Sequence, residues 1–369
     1  GTPGKINGTG QTNVFHPMKG PMTVQTLRGL ANSGAMHWRG DRSNGPEGDN
    51  ATNETISFEN FIDAFASLMN GQPLSQADMQ TFTNFQLQVV LPPNPVRSLD
   101  NSLNTAQQAG KNFFAGNRPA DGVNLGVLGV ILGQTAFTCN GCHELDPAEG
   151  QFGTSTNASF EGIQQIFKIP HLRNMYTKVG MFGFPRVSFF NNVSTANLGN
   201  QVRGFGFTNE GSVDTVFHFV NAVVFNPTIN SGFPLINPDA TRRNVEQFVL
   251  AFDSDLAPIV GQQVTLNSTN SSSVGPRITL MEQRCGTAFT SKVLGGTTTE
   301  CDLVATVVLN GAVTGFLFDP TSGNFFNSAG VATSDTALRA LAGTAGQEVQ
   351  FTATTPGSGS RLAFSSNSL

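Results

Sequence analysis

Two of the four cysteines in this chain of 369 residues stand three positions apart and are followed at once by a histidine. The segment reads Cys139-Asn140-Gly141-Cys142-His143. Two thiols one helical turn apart can add across the two vinyl groups of a haem, and the adjacent imidazole can reach its iron. The spacing therefore predicts one covalent haem c, attached through Cys139 and Cys142, with His143 as the proximal ligand of the iron.

Two other interpretations of this pentad are weaker. A structural zinc site needs a second ligand pair at matching spacing, and Cys285 and Cys301, 16 positions apart, do not form one. A thioredoxin-like redox pair belongs beside a βαβ unit, whereas the sequence around the pentad has helical patterns. Haem attachment is therefore the prediction, with a zinc site and a redox pair as the alternatives.

The ligand on the opposite face of the iron decides the chemistry. A strong sixth ligand makes an electron carrier, whereas a vacant or water-bound position can activate peroxide. Met181 is the first candidate, because glycines at 180 and 183 allow the backbone to approach a haem edge. His218 is the alternative, because it lies in a segment with helical spacing. Four further candidates are His16, His37, His171 and Met175.

The spacing of apolar residues changes along the chain. It is helical in several segments between residues 57 and 265, for example at Phe58, Phe61 and Phe65, and alternating beyond a polar stretch at 267–273. We therefore expect a mainly α cytochrome c-like haem module followed by a small all-β domain. The expected ranges are an extended Gly/Asn-rich N-terminal segment at 1–56, a helical c-type haem domain at 57–265 and the small β domain at 275–369.

Two local patterns support the β domain. The β-rich runs 303–309 and 313–318 surround Asn310-Gly311, a dipeptide that accepts positive φ and therefore predicts a two-residue hairpin turn. Val349, Phe351 and Ala353 alternate with polar residues and predict a later strand.

The remaining two cysteines bear on the cellular compartment. Cys285 and Cys301 lie in the predicted β domain and are expected to form a disulfide around 15 intervening residues, with two buried free thiols as the alternative. A disulfide and a covalent haem both indicate an oxidising compartment. We therefore expect a periplasmic or extracellular location, such as the cell surface.

Charge and hydropathy exclude several classes of partner. The chain has 20 basic and 25 acidic residues, for a net charge of −5, and no dense run of either sign, which argues against nucleic acid. The longest apolar stretch, 123–132, is interrupted by glycines and is too short to span a bilayer, so no transmembrane segment is expected. Tryptophan occurs once, at Trp38.

Five segments in chain order carry a resemblance to a known family. They are TLRGL at 26–30, MHWRGDR at 36–42, CNGCH at 139–143, FKIPHLRN at 167–174 and GFTNEGS at 206–212. Together they resemble the bacterial di-haem cytochrome c peroxidases, over roughly residues 20–262. The likeness is greatest to peroxidase-like cytochromes that continue into a small β domain.

The resemblance implies two c-type domains, with an N-terminal peroxidatic haem, a C-terminal electron-transfer haem and a tryptophan between them. Trp38 matches that relay tryptophan, and the pentad matches the electron-transfer attachment site. The sequence departs from the family in having no second C-x-x-C-H, in having Asn209-Glu210-Gly211 for the usual His-Asp-Gly, and in having Phe219 near the family's sixth-ligand position.

Arginines near these motifs are candidates for binding the haem propionates. A guanidinium presents two parallel donors to a carboxylate, and Arg173, Arg39 and Arg42 have this capacity. Surface salt bridges are the alternative for all three.

These observations lead to a functional hypothesis and two alternatives. The hypothesis is an extracytoplasmic mono-haem c-type cytochrome that exchanges single electrons with a redox partner protein through a six-coordinate haem. The first alternative is a peroxidase-like enzyme that reduces hydrogen peroxide. The second is a haem-bearing cell-surface subunit that forms a homo-oligomer or filament.

Overall fold

The computed structural model describes residues 22–33, 36, 38, 53–116, 139–146, 151–153, 169–180, 204–222, 225 and 233–365. The chain forms two compact units. The first unit comprises residues 1–91 and 103–252, and the second comprises residues 92–102 and 253–369. The boundary between the units therefore follows residue 252, whereas the sequence predicts it at the polar stretch at 267–273.

The first unit is built from short helices, a small hairpin and irregular backbone. A side-chain cap begins one helix as the sequence indicates, since the Ser75 hydroxyl accepts a hydrogen bond from the Asp78 amide at 3.1 Å. The described helices of this unit are α1 (Glu54–Glu59), α2 (Ile62–Ser67), α3 (Gln76–Leu87), α4 (Thr105–Ala115), α5 (Cys139–Cys142), α6 (Val216–Phe219) and α7 (Pro238–Leu250). The hairpin comprises β1 (Leu145–Asp146) and β2 (Gln151–Phe152), and a 3₁₀ helix spans Met175–Lys178.

The main core of the first unit lies where α4 crosses α7. The rings of Phe114 and Phe248 meet edge to face with centroids 5.4 Å apart, and Phe252 stands 4.7 Å from Phe248. The crossing is close because Gly110 faces the carbonyl of Asn244, where a β-carbon would lie only 1.9 Å from the oxygen. A contiguous apolar cluster, which we call the phenylalanine core, extends from here to the hairpin and α6.

The second unit contains a six-stranded antiparallel sheet and a separate pair of strands. Its described strands are β3 (Gln263–Leu266), β4 (Ala288–Ser291), β5 (Gly296–Thr299), β6 (Asp302–Leu309), β7 (Ala312–Asp319), β8 (Asn324–Asn327), β9 (Ala332–Ser334) and β10 (Val349–Thr354). Strands β4 and β5 form the separate pair, and the order in the sheet is β3-β10-β6-β7-β8-β9. Asn310 and Gly311 have φ of 52° and 78° and form the turn between β6 and β7, which confirms the predicted hairpin. Strand β10 contains the alternating residues Val349, Phe351 and Ala353.

Three helices also belong to the second unit, so the expected all-β domain is wrong. They are α8 (Ser271–Cys285), α9 (Asp335–Leu341) and α10 (Gly359–Phe364). Helix α8 begins inside the polar stretch at 267–273, and it buries Ile278 and Met281 in the core of the unit. Its serine-rich start, together with Gly275 and Pro276, conceals this helix because all are poor helix formers.

The expected mainly α haem module is also wrong. Only 35% of the described residues are helical, and the described part of the chain also contains a six-stranded antiparallel sheet. In the first unit the apolar stripe at 58–69 is divided between α1 and α2, and Met69 is exposed. Asn70 follows α2 with φ of 53°, and Asn237 precedes α7 with φ of 52°. Asparagine accepts this left-handed conformation, and it limits the length of the helices.

The predicted disulfide between Cys285 and Cys301 is confirmed. Both cysteines are buried in the core of the second unit, with Cα atoms 4.4 Å apart. Beside them, the buried Glu300 pairs with Arg284 and accepts a hydrogen bond from the Asn101 amide at 3.0 Å. The crosslink joins the end of α8 to the residue directly before β6, and the β4–β5 pair lies within the loop that it closes.

Removal of this disulfide is expected to destabilise the second unit. Closing a loop of this size lowers the entropy of the unfolded chain by the equivalent of about 3 kcal/mol. The Cys285→Ala/Cys301→Ala variant should therefore lose about this much free energy of unfolding in urea titrations followed by circular dichroism. Wild type measured in reductant is the matched control, and equal midpoints for oxidised wild type and the double variant would contradict the expectation.

Candidate functional site

The pentad forms a short helix with its histidine directly after it. Cys139–Cys142 is helix α5, and the His143 amide donates to the Cys139 carbonyl at 2.6 Å. Residues three apart on a helix lie on the same side, as attachment through two thioethers requires. Cys139 is partly buried against the phenylalanine core, whereas the side chain of Cys142 lies outside the described residues.

The imidazole of His143 is held by two backbone carbonyls. Its Nδ1 lies 3.0 Å from the Gly153 oxygen and 3.0 Å from the Pro170 oxygen. A carbonyl only accepts, so Nδ1 carries the proton and Nε2 carries the lone pair. Burial lowers the pKa of His143, although both carbonyls oppose this effect, and the ring is therefore neutral at pH 7. No described residue donates a hydrogen bond to its Nε2.

The hairpin after the pentad sets the position of the Gly153 carbonyl. Leu145 pairs with Phe152 across β1 and β2, and the amide of Gly153 donates to the Glu144 carbonyl at 2.5 Å. Gly153 has φ of 85°, and a β-carbon there would lie 2.8 Å from Cγ of Leu172. Only glycine combines this backbone conformation with so close a neighbour.

Arg173 is placed for an internal role. Its side chain is 1% exposed, and Nη2 donates to the Ser33 hydroxyl at 2.5 Å and to the Gly29 carbonyl at 3.2 Å. The guanidinium also lies 5.6 Å from the centre of the Phe152 ring. These contacts tie the turn at 29–33 to the segment beside His143. The two other arginines proposed for propionates, Arg39 and Arg42, lie outside the described residues.

Trp38 stands in the wall of a cavity. Its indole nitrogen donates to the Thr23 carbonyl at 2.9 Å, and the Lys178 ammonium lies 5.1 Å from the ring centre. The cavity has a volume of about 360 Å³ and is also lined by His171 and Arg173. The ring of Trp38 therefore contacts a half-buried cation. The resemblance to the family's relay tryptophan does not predict this neighbour.

A second imidazole is held through its Nδ1. In α6, Nδ1 of His218 lies 2.5 Å from the carboxylate of Asp214, and both side chains are buried. Thr215 caps the helix by accepting from the His218 amide at 3.1 Å. A carboxylate on Nδ1 directs Nε2 towards a ligand in many metal sites, and no described residue hydrogen-bonds this Nε2. Asp214 is a site residue that sequence reasoning missed.

The backbone just before Met181 is hydrogen-bonded to Asp214, the residue whose side chain holds His218. The amide of Gly180 donates to the Asp214 carbonyl at 2.9 Å, and Gly180 has φ of 120°. Met181 itself lies outside the described residues, as do His16 and His37. Of the other candidates, Met175 is buried in the phenylalanine core, and Phe219 lies partly buried beside it.

The described residues contain neither a preformed metal site nor a membrane-spanning helix. No group of three or more His, Cys, Asp and Glu side chains in the described ranges is arranged to hold a metal ion. Within those ranges, no helix is both long and apolar enough to cross a bilayer.

Comparisons with known proteins do not assign a family. No protein-family model matches the chain, and no curated protein gives a significant match. A solved structure of hydrazine synthase from Kuenenia stuttgartiensis, pressurised with xenon, is similar over 62% of this chain and 72% of its own, at 13% identity and a TM-score of 0.39. A similarity this low supports no statement about fold or function. The resemblance to the di-haem peroxidases stays a prediction.

Proposed function

We propose that this chain is an extracytoplasmic mono-haem c-type cytochrome that exchanges single electrons with a redox partner protein. The observation that carries the proposal is the orientation of His143. The imidazole follows the two cysteines of α5, its Nδ1 proton is held by the Gly153 and Pro170 carbonyls, and its Nε2 is left to bind iron. A second-sphere hydrogen bond of this kind fixes the tautomer of a metal-binding histidine and strengthens it as a ligand.

The residues around the pentad fit a haem c. When bound, the haem supplies a one-electron iron couple. Cys139 and Cys142 would hold it through thioethers, and the phenylalanine core beside Cys139 would exclude water from one side. An apolar environment would limit the access of solvent to the iron, and a strong sixth ligand would make the centre low-spin.

Met181 and His218 are the two candidates for the sixth ligand in this proposal. Hydrogen bonding between Gly180 and Asp214 brings the backbone before Met181 to the segment that leads into α6. The Asp214 carboxylate would position His218, whereas a methionine thioether has no N–H group through which a carboxylate could orient it. Methionine would give the higher reduction potential of the two.

The proposed compartment rests on the disulfide and the covalent haem together. The Cys285–Cys301 bond is of the kind that persists in oxidising compartments. A periplasmic or cell-surface location would place the haem where its partner is another redox protein.

The experiment is a potentiometric titration of the purified protein followed by its absorption spectrum. We expect one reversible one-electron transition per chain and a low-spin ferric state. Met181→Leu and His218→Gln form a matched pair, and the one that replaces the sixth ligand should convert the ferric iron to high spin while the other leaves the spectrum unchanged. A high-spin wild type that turns over hydrogen peroxide would contradict electron transfer as the function.

A further inference from the structure

The cavity beside Trp38 is a site that the electron-transfer proposal does not use. It is formed in the first unit by the segment at 23–38 together with residues 171–178 and 205–206. Its volume, about 360 Å³, is within the range of small-molecule sites. Its apolar wall consists of Val24, Leu30, Met36, Trp38 and Phe205.

The charged side chains of the cavity are all basic. Arg28, Arg173 and Lys178 line it together with His171, and none of the described lining residues is Asp or Glu. The Arg173 guanidinium is engaged with Ser33 and the 29–33 turn. Lys178 is therefore the inner cation that faces the space, and the exposed Arg28 stands at its edge.

Lys178 lacks a carboxylate partner within the described part of the chain. Its ammonium lies over the Trp38 ring at 5.1 Å, which compensates only part of the cost of removing a charge from water. Burial lowers the pKa of Lys178 to about 8. A half-buried cation with an aromatic neighbour, and with no carboxylate partner among the described residues, is suited to an anion supplied from outside the polypeptide.

We propose that this cavity binds the carboxylate of a ligand with an apolar body, with Lys178 as the counter-ion and Trp38 as the flat wall. A charge-assisted hydrogen bond from the ammonium would hold the carboxylate. The apolar part would lie against the indole and Met36. Two sources of this chemistry exist: a free carboxylic acid, and a propionate of the chain's own haem, the latter resting on the proposed function.

The first arm of the test is isothermal calorimetry on the protein as purified, with 3-phenylpropionate as the probe. We expect saturable binding that Lys178→Met weakens at least tenfold and Lys178→Arg retains. The exposed Lys111→Met on α4 is the matched control and should bind as wild type does. The neutral amide, 3-phenylpropionamide, should bind at least tenfold more weakly than the acid.

The dependence on pH separates the ammonium from the arginines. Below a pKa of about 8 Lys178 is charged, and above it the charge is lost, so affinity should fall about tenfold between pH 7 and pH 9. The other titratable residues of the lining are His171, Arg28 and Arg173, and the ordinary pKa values of histidine and arginine side chains lie outside this window. Lys178→Arg should therefore remove the pH dependence while keeping the affinity measured at pH 7.

The second arm identifies a haem propionate as the ligand. In that case the wild type gives no heat with the probe, and Lys178→Met shifts the pH dependence of the haem reduction potential while Lys111→Met does not. The proposal is overturned if neither arm responds to Lys178→Met, or if the neutral amide binds as tightly as the acid. A protein without haem would remove the second arm only, and the calorimetry would still decide.

Discussion

Replacing His143 by glycine is expected to abolish the low-spin spectrum of the protein completely. The variant removes the imidazole whose Nδ1 is held by the carbonyls of Gly153 and Pro170, which is the proposed proximal ligand. Free imidazole is small enough to enter the space left by the ring, and adding it should restore the low-spin ferric spectrum. Rescue of this kind distinguishes a lost ligand from a lost fold.

His171→Gly is the matched control for this variant. His171 lies one residue after Pro170 and lines the cavity beside Trp38, so it is close in the chain to the same segment. Its replacement should leave the spectrum of the ferric protein unchanged. If the low-spin spectrum survived in His143→Gly and disappeared in His171→Gly, the proposed assignment of His143 as the proximal ligand would be wrong.

The second large effect is expected at Gly110, where alanine should destabilise the first unit by about 3 kcal/mol. Its added β-carbon would lie 1.9 Å from the Asn244 oxygen and 2.8 Å from Cβ of Phe248. Alanine improves helix propensity by about 1 kcal/mol, which is smaller than the cost of separating α4 from α7. Urea denaturation followed by circular dichroism measures the loss.

The exposed Lys111 provides the control on the same helix. It lies one residue after Gly110 in α4, and its side chain is exposed. Lys111→Ala should change the free energy of unfolding by less than about 0.5 kcal/mol, because it alters an exposed position with little change in helix propensity. A loss in Lys111→Ala as large as that in Gly110→Ala would mean that the approach of α4 to α7 does not determine the stability at Gly110.

Local signals in the sequence predicted local structure well. Asn310-Gly311 forms the expected turn because both residues accept positive φ, and the disulfide joins the two cysteines that remain once the pentad is set aside. Ser75 caps α3 through the amide of Asp78, which is only three residues away. A contact this local is recognisable in the sequence.

The overall fold class could not be predicted because it depends on contacts between distant segments. Helix α8 begins with serines that resemble a linker, and it is stabilised by burying Ile278 and Met281 in the core of the second unit. Tertiary packing here outweighs the low helix propensity of its first turn. Conversely, asparagines at positive φ shorten the helices of the first unit.

The candidate site was predictable only at the pentad. Its residues are close together in the sequence, so their spacing alone predicts their chemistry. The carbonyl partners of His143 come from backbone 10 and 27 residues away, and backbone atoms leave no mark in a sequence. Asp214 stands four residues before His218 but has the appearance of an ordinary polar residue. Lys178 and Trp38 are 140 residues apart in the sequence, and no sequence pattern indicates that their side chains are in contact.

The proposed cytochrome requires one porphyrin attached covalently to this chain. The mass of the intact, denatured protein, together with haem staining of the same band after electrophoresis, tests this attachment. We expect a mass that exceeds the polypeptide by one haem, and the polypeptide mass alone for Cys139→Ala/Cys142→Ala. A wild-type protein purified from cells with a working haem-attachment system, yet carrying the unmodified polypeptide mass, would contradict it.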